Sequence, residues 1–116
     1  MGTVNVSTHV LDTAKGRPAV GLRILFETAT ADGGWDRVGA ATTDDDGRAP
    51  DLIPEDAVID PGVCRMTFET GDWFAQRGVV AFYPRVRVEF EIRDANQHHH
   101  VPLLLSPFGY STYRGS

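Results

Sequence analysis

Arg85-Val86-Arg87-Val88-Glu89-Phe90-Glu91-Ile92 decides the fold class, because every second residue is apolar and every residue between is charged. A period of two puts Val86, Val88, Phe90 and Ile92 on one face of an extended strand and the charges on the other. Such a strand covers a core with one face and meets water with the other, as antiparallel sheets do. The alternation recurs in Val4-Asn5-Val6-Ser7-Thr8-His9-Val10 and, with an additional apolar residue at Leu25, in Leu22-Arg23-Ile24-Leu25-Phe26-Glu27. Residues 39–43, 63–69 and 101–105 read as further strands. Turn chemistry separates these runs at Ala14-Lys15-Gly16, Asp32-Gly33-Gly34, Asp45-Asp46-Gly47 and Asp94-Ala95-Asn96. A single stretch reads as helix, from Asp72 as N-cap to about Val80, with Pro84 blocking its continuation. The expectation is an all-β antiparallel sandwich of seven or eight strands with one short helix.

Composition narrows the function. A chain of 116 residues supports one core, so residues 1–116 are expected to form a single domain that carries the whole activity. Hydrophobic content of 41% and charged content of 23% fit a globular chain and not a disordered one. A formal charge of −5 argues against a nucleic-acid partner, which calls for a basic surface. Cys64 is the only cysteine, which leaves no intrachain disulfide and suits a cytoplasmic location. It reads as a small buried residue in a strand and not as a nucleophile. The opening Met1-Gly2-Thr3-Val4-Asn5-Val6 carries neither a basic region nor a long apolar run, so neither signal peptide nor membrane span is expected.

Strand parity then separates core from site. With Val4, Val6 and Val10 toward the core, Asn5, Ser7 and His9 face away from it; with Val101, Leu103 and Leu105 inward, His98, His100, Pro102 and Leu104 face outward. Leu104 and Pro102 on that face predict a surface covered by another subunit, forming a lined cleft. Arg48 follows the tight turn at Asp46-Gly47, and the chain closes on Tyr113-Arg114-Gly115-Ser116. Terminal residues usually drift toward small polar types, whereas Tyr and Arg are types that grip ligands. Imidazole bases, a cation and hydrogen-bond donors together suit hydrolysis of a polar, anionic or planar amide. His98-His99-His100 also invites a metal reading, with His9 as a third ligand. No carboxylate or cysteine spacing accompanies it, and Asp45-Asp46-Gly47 reads first as a turn, so the metal reading is the weaker alternative.

Several segments together resemble a known family over nearly the whole chain. Ser7-Thr8-His9-Val10-Leu11-Asp12, Asp46-Gly47-Arg48, Phe82-Tyr83-Pro84, the run from His98 to Pro107 and the run from Tyr110 to Ser116 are similar to the 5-hydroxyisourate hydrolases, the transthyretin-related enzymes. The closing Tyr-Arg-Gly-Ser is the most specific element, since in that family it separates the hydrolase from the hormone carrier transthyretin. The resemblance implies a transthyretin-like sandwich and a homotetramer, a dimer of dimers, around a channel whose ends hold the active sites. It implies hydrolysis of 5-hydroxyisourate, made from urate by urate oxidase, to 2-oxo-4-hydroxy-4-carboxy-5-ureidoimidazoline without a cofactor.

Carried over residue by residue, the resemblance assigns catalysis to His9, Arg48 and His100, and substrate binding to His9, Arg48, Tyr113 and Ser116. The family's usual tyrosine between the two histidines of its His-Tyr-His segment is His99 here, and parity turns it away from the site. A neutral histidine, His9 or His100, would take a proton from water, and Arg48 would hold the substrate or the oxyanion. Ser111 or Ser116 as a covalent nucleophile lacks the Gly-x-Ser-x-Gly setting. Two other classes stay open: a small-ligand carrier without turnover on the same sandwich, and an immunoglobulin-like structural domain with incidental surface histidines.

Overall fold

Alternation decides which side of each strand is dry. The computed structural model describes residues 5–116, with Asn5 as backbone alone, so the Val4 end of the first expected strand lies outside it. In chain order the elements are β1 (Asn5–Asp12), β2 (Arg17–Pro18), β3 (Arg23–Ala29), β4 (Trp35–Thr42), β5 (Gly62–Phe68), α1 (Thr70–Gln76), β6 (Val86–Ile92), β7 (His98–Ser106) and β8 (Gly109–Thr112). Two four-stranded sheets result, in the orders β2-β1-β7-β8 and β4-β3-β5-β6. Every pairing is antiparallel except β1 with β7, which is parallel.

Inward side chains from both sheets form the core. Val86, Val88 and Ile92 of β6 are buried and Phe90 is half-buried, while Arg87, Glu89 and Glu91 face water. Val10, Phe26, Cys64, Met66, Phe68 and Leu103 are all fully inaccessible. Each large apolar side chain so buried contributes about 1.5–3 kcal/mol. Thr8 lies on the inward face of β1 and donates its hydroxyl to the Val101 carbonyl at 2.7 Å, which satisfies a polar group that would otherwise destabilise the core. Burial pushes the Cys64 thiol up to about 11, in keeping with its role as a packing residue.

The helix differs from its expected span. It begins at Thr70 with Glu69 in the capping position, so Asp72 sits in the first turn and is not the cap. There its carboxylate still favours the positive end of the helix. It stops at Gln76 because Gly78 turns left-handed at φ 70°. The Gly78 amide donates to the Ala75 carbonyl and the Val79 amide to the Phe74 carbonyl, both at 3.0 Å, closing the end in a Schellman motif that excludes Val79 and Val80 from the helix. In the sheets, β4 begins at Trp35, ahead of the expected Gly39, because the Arg65 guanidinium lies 4.2 Å over the Trp35 ring and extends the pairing with β3. The short β8 completes the strand count, turning back from β7 through Pro107 and Phe108.

Candidate active site

The parallel pairing of β1 with β7 sets Ser7 directly across from His100, and both point outward. The Ser7 Oγ lies 2.7 Å from His100 Nδ1 and 2.8 Å from His98 Nε2. The rings of His98 and His100 stack at 6.3 Å, with 26° between their planes. His9 follows two residues along β1 on the same outward face, opposite Pro102.

Arg48 reaches this face through a turn docked on β1. The Asp44 carboxylate accepts from the Arg48 amide at 3.0 Å, and the Asp44 amide donates to the Arg48 carbonyl at 2.7 Å. Gly47, at φ 77°, presents its carbonyl to the Val10 amide at 2.8 Å. A side chain there would run into the Val10 carbonyl, so the approach needs glycine. The outcome is a backbone bridge between His9 and Arg48.

The carboxyl-terminal tail supplies the third wall. Beyond β8 the chain crosses β7, and the Gly115 amide donates to the His100 carbonyl at 2.8 Å. A Cβ on Gly115 would strike His100 Cδ2, so glycine alone lets the backbone lie against the imidazole. Tyr113, Thr112 and His100 line a hollow of about 220 Å³, and Tyr113 is 58% exposed. Ser7, Arg48 and Ala49 line a second hollow of about 290 Å³. A larger hollow, about 430 Å³, lies on the outer face of the other sheet among Arg23, Thr67 and Arg87 and is lined by no histidine. The hollow beside Tyr113 is bounded also by Val88, Phe90 and His99, at the edge between the sheets, and the one beside Arg48 borders Ser7.

Burial and neighbouring charge favour the neutral form of His100. Its pKa lies below the ordinary value of 6.5, first because burial disfavours the imidazolium, then because Arg48, His98 and His9 add like charge; a hydrogen bond at Ser7 opposes the shift. The ring is consequently neutral at neutral pH, with Nε2 as its unengaged nitrogen. His9 and Arg48 are thus among the charges that act on His100. Ser116 is exposed at the chain end, next to the Gly115 backbone that rests on His100. Among the described residues no group of three or more His, Cys, Asp or Glu side chains is placed to hold a metal ion.

Three residues add to the sequence reading. Ser7 contacts two histidines, yet the sequence marked it only by its outward parity beside His9. His99 is buried on the core side, opposite His100 as expected, and its Nδ1 has no hydrogen-bond partner among the described residues. Pro102 is already buried within the chain, so Leu104 and its cross-strand neighbour Leu11, both half-buried, make up a smaller apolar patch than parity alone suggested.

Comparison with known proteins agrees with this fold. Residues 6–115 match the HIUase/transthyretin family. The 5-hydroxyisourate hydrolase of Salmonella typhi is 45% identical over 115 residues, covering 99% of this chain and 83% of that one. The structure of Klebsiella pneumoniae 5-hydroxyisourate hydrolase superimposes with a TM-score of 0.82 at 33% identity, covering 97% of this chain and 94% of that one. Sea bream transthyretin in complex with thyroxine superimposes with a TM-score of 0.88 at 32% identity, covering 95% of this chain and 93% of that one. Sequence and fold thus match nearly end to end, and the chain belongs to the HIUase/transthyretin family.

Proposed function

We propose that this protein is a 5-hydroxyisourate hydrolase of urate degradation, which opens the substrate's six-membered ring to 2-oxo-4-hydroxy-4-carboxy-5-ureidoimidazoline with water as nucleophile. The observation that carries the reading is geometric: the tail backbone is laid across His100, and a backbone bridge holds Arg48 to His9 on the neighbouring strand, where burial first and Arg48 next keep the His100 pKa below its ordinary value. A carrier needs a lined cavity but no base held beside a cation. The fold is shared with a thyroxine-binding transthyretin, so the sandwich alone does not separate the two activities.

In the proposed reaction, His100 Nε2 takes a proton as the water oxygen bonds to a ring carbonyl carbon. Negative charge builds on the carbonyl oxygen, and the Arg48 guanidinium offsets it; one such preplaced group is worth about 3 kcal/mol of barrier. Collapse of the tetrahedral intermediate breaks the carbon–nitrogen bond, and the leaving nitrogen receives a proton. His9 stands on the same face for that delivery or for holding the substrate, with Tyr113 and Ser116 closing over it. No metal or organic cofactor enters this scheme.

The proposed assembly is a homotetramer with the site between its subunits. Phe82, Tyr83, Phe108 and Tyr110 are exposed, and Tyr83 stacks edge-on with Tyr110 at 5.3 Å beside the edge strand β8. Such aromatic surface favours association. No described helix is long and apolar enough to cross a membrane. The lone buried thiol of Cys64 suits a cytoplasmic setting.

The test is the absorbance decay of freshly generated 5-hydroxyisourate. The protein should accelerate it, and His100→Ala and Arg48→Ala should each remain folded and lose most of the acceleration, roughly 10²–10⁴-fold for a general base. Binding without acceleration would assign the chain to the carriers.

A further inference from the structure

Ser7 has a single hydroxyl proton and two imidazole nitrogens within hydrogen-bond distance, at 2.7 and 2.8 Å. With both rings neutral, the hydroxyl donates to one nitrogen and accepts an N–H from the other. When His100 awaits its substrate as a base, Nδ1–H donates to Ser7 Oγ and the Ser7 hydroxyl donates to His98 Nε2. That arrangement leaves His100 Nε2 bare, and the tail backbone lies against Cδ2, the carbon bonded to that nitrogen.

We infer that Ser7 is a positioning residue that fixes His100 with Nε2 toward the cleft and passes the proton won from water on to His98. This deepens the hydrolase reading and rests on it. Once Nε2 has taken the water proton, His100 is an imidazolium beside Arg48 and His9. The His100 Nδ1 proton moves to Ser7 Oγ as the Ser7 proton moves to His98 Nε2. His100 is then neutral with Nε2–H, Ser7 is again a neutral hydroxyl, and the positive charge sits on His98. His98 is exposed where His100 is half-buried, so water solvates the relocated charge. Arg114 also lies near His98: its guanidinium donates to Gln97 Oε1 at 3.0 Å and to the His98 carbonyl at 3.5 Å. Reversing both transfers restores the Nδ1 proton as His100 Nε2–H protonates the leaving nitrogen, and the cycle closes with no proton gained or lost.

The experiment combines steady-state kinetics with imidazole ¹⁵N spectra on the intact protein. Ser7→Ala and His98→Gln should each lower kcat by about 10- to 100-fold, less than loss of the base itself, with KM changed little. The double variant should be no slower than the worse single one, because both substitutions cut one relay. Ser7→Thr should recover kcat, while the acid limb set by protonation of His100 should persist in Ser7→Ala. In the resting protein both rings should carry the Nδ1 proton, a state lost in Ser7→Ala. Wild-type kcat in Ser7→Ala, or multiplying effects in the double variant, would overturn the relay while inactive His100→Ala upheld the hydrolase. If the protein turned nothing over, the spectra would still decide: Nε2–H on His100 in the resting state would overturn the positioning role.

Discussion

The outward face of the β4-β3-β5-β6 sheet includes ion-paired charges, whereas that of the β2-β1-β7-β8 sheet gathers histidines and a cation that are not in ion pairs. On the first, Arg65 Nε donates to Glu27 Oε1 at 2.7 Å, and Arg85 pairs with Glu69 at 3.2 Å. On the second, Ser7, His9, His98 and His100 share a surface with Arg48, and among the described residues none of these side chains is in an ion pair. The two faces obey the same alternation and cover the same core. Their difference shows that parity decides exposure, and that the sign and partnering of outward groups decide whether a face is solvent-facing or chemical. Burial first, and then the like charge held around it, lowers the pKa of His100 and keeps the ring neutral.

Removing the tail should break the contrast most severely. Deletion of residues 113–116 takes away the backbone lying on His100 but no core side chain, so turnover should fall by roughly 10²-fold or more while thermal unfolding stays nearly unchanged. A truncated protein with full turnover would show that the tail is not a wall of the site.

A subtler perturbation acts on the field itself. Below pH 6.5 the unfolded chain binds the His100 proton before the folded one does, so this residue's stability contribution is full above that pH and declines as pH falls. Arg48→Gln removes the second-largest cause of the shift, so the His100 pKa, followed by NMR titration, should rise toward 6.5. No movement would mean that Arg48 does not act on His100 through charge.

The smallest effect is expected on the opposite sheet. Glu27→Ala breaks a partly buried pair and should lower stability by about 1 kcal/mol in denaturant unfolding, without altering turnover. A loss of activity there would erase the distinction between the two faces.

Much of this was legible one residue at a time. Alternation in residues 85–92 announced a half-buried strand, and the same parity turned His9 and His100 outward and His99 inward. Gly78 also carried a readable stop signal for α1, yet Pro84 drew the expected boundary too far along the chain. Asp72 looked like a cap because its residue type favours that position; the preceding strand, not local chemistry, sets the entry at Glu69. The Ser7 contacts were not legible, since they depend on pairing between strands 93 residues apart.

By itself, then, the sequence determined the all-β class, the identity of the inward and outward faces, and the presence of a base-and-cation set with a family likeness at the tail. Period-two alternation and residue type are local properties, and they survive in one dimension. Tertiary structure alone decided that β1 runs parallel to β7 with Ser7 opposite His100, that Gly47 docks Arg48 against His9, and that Gly115 fits against the imidazole. Register and close approach arise only when distant segments compete for the same hydrogen bonds and space, and the ångström-scale contacts of the site are set there.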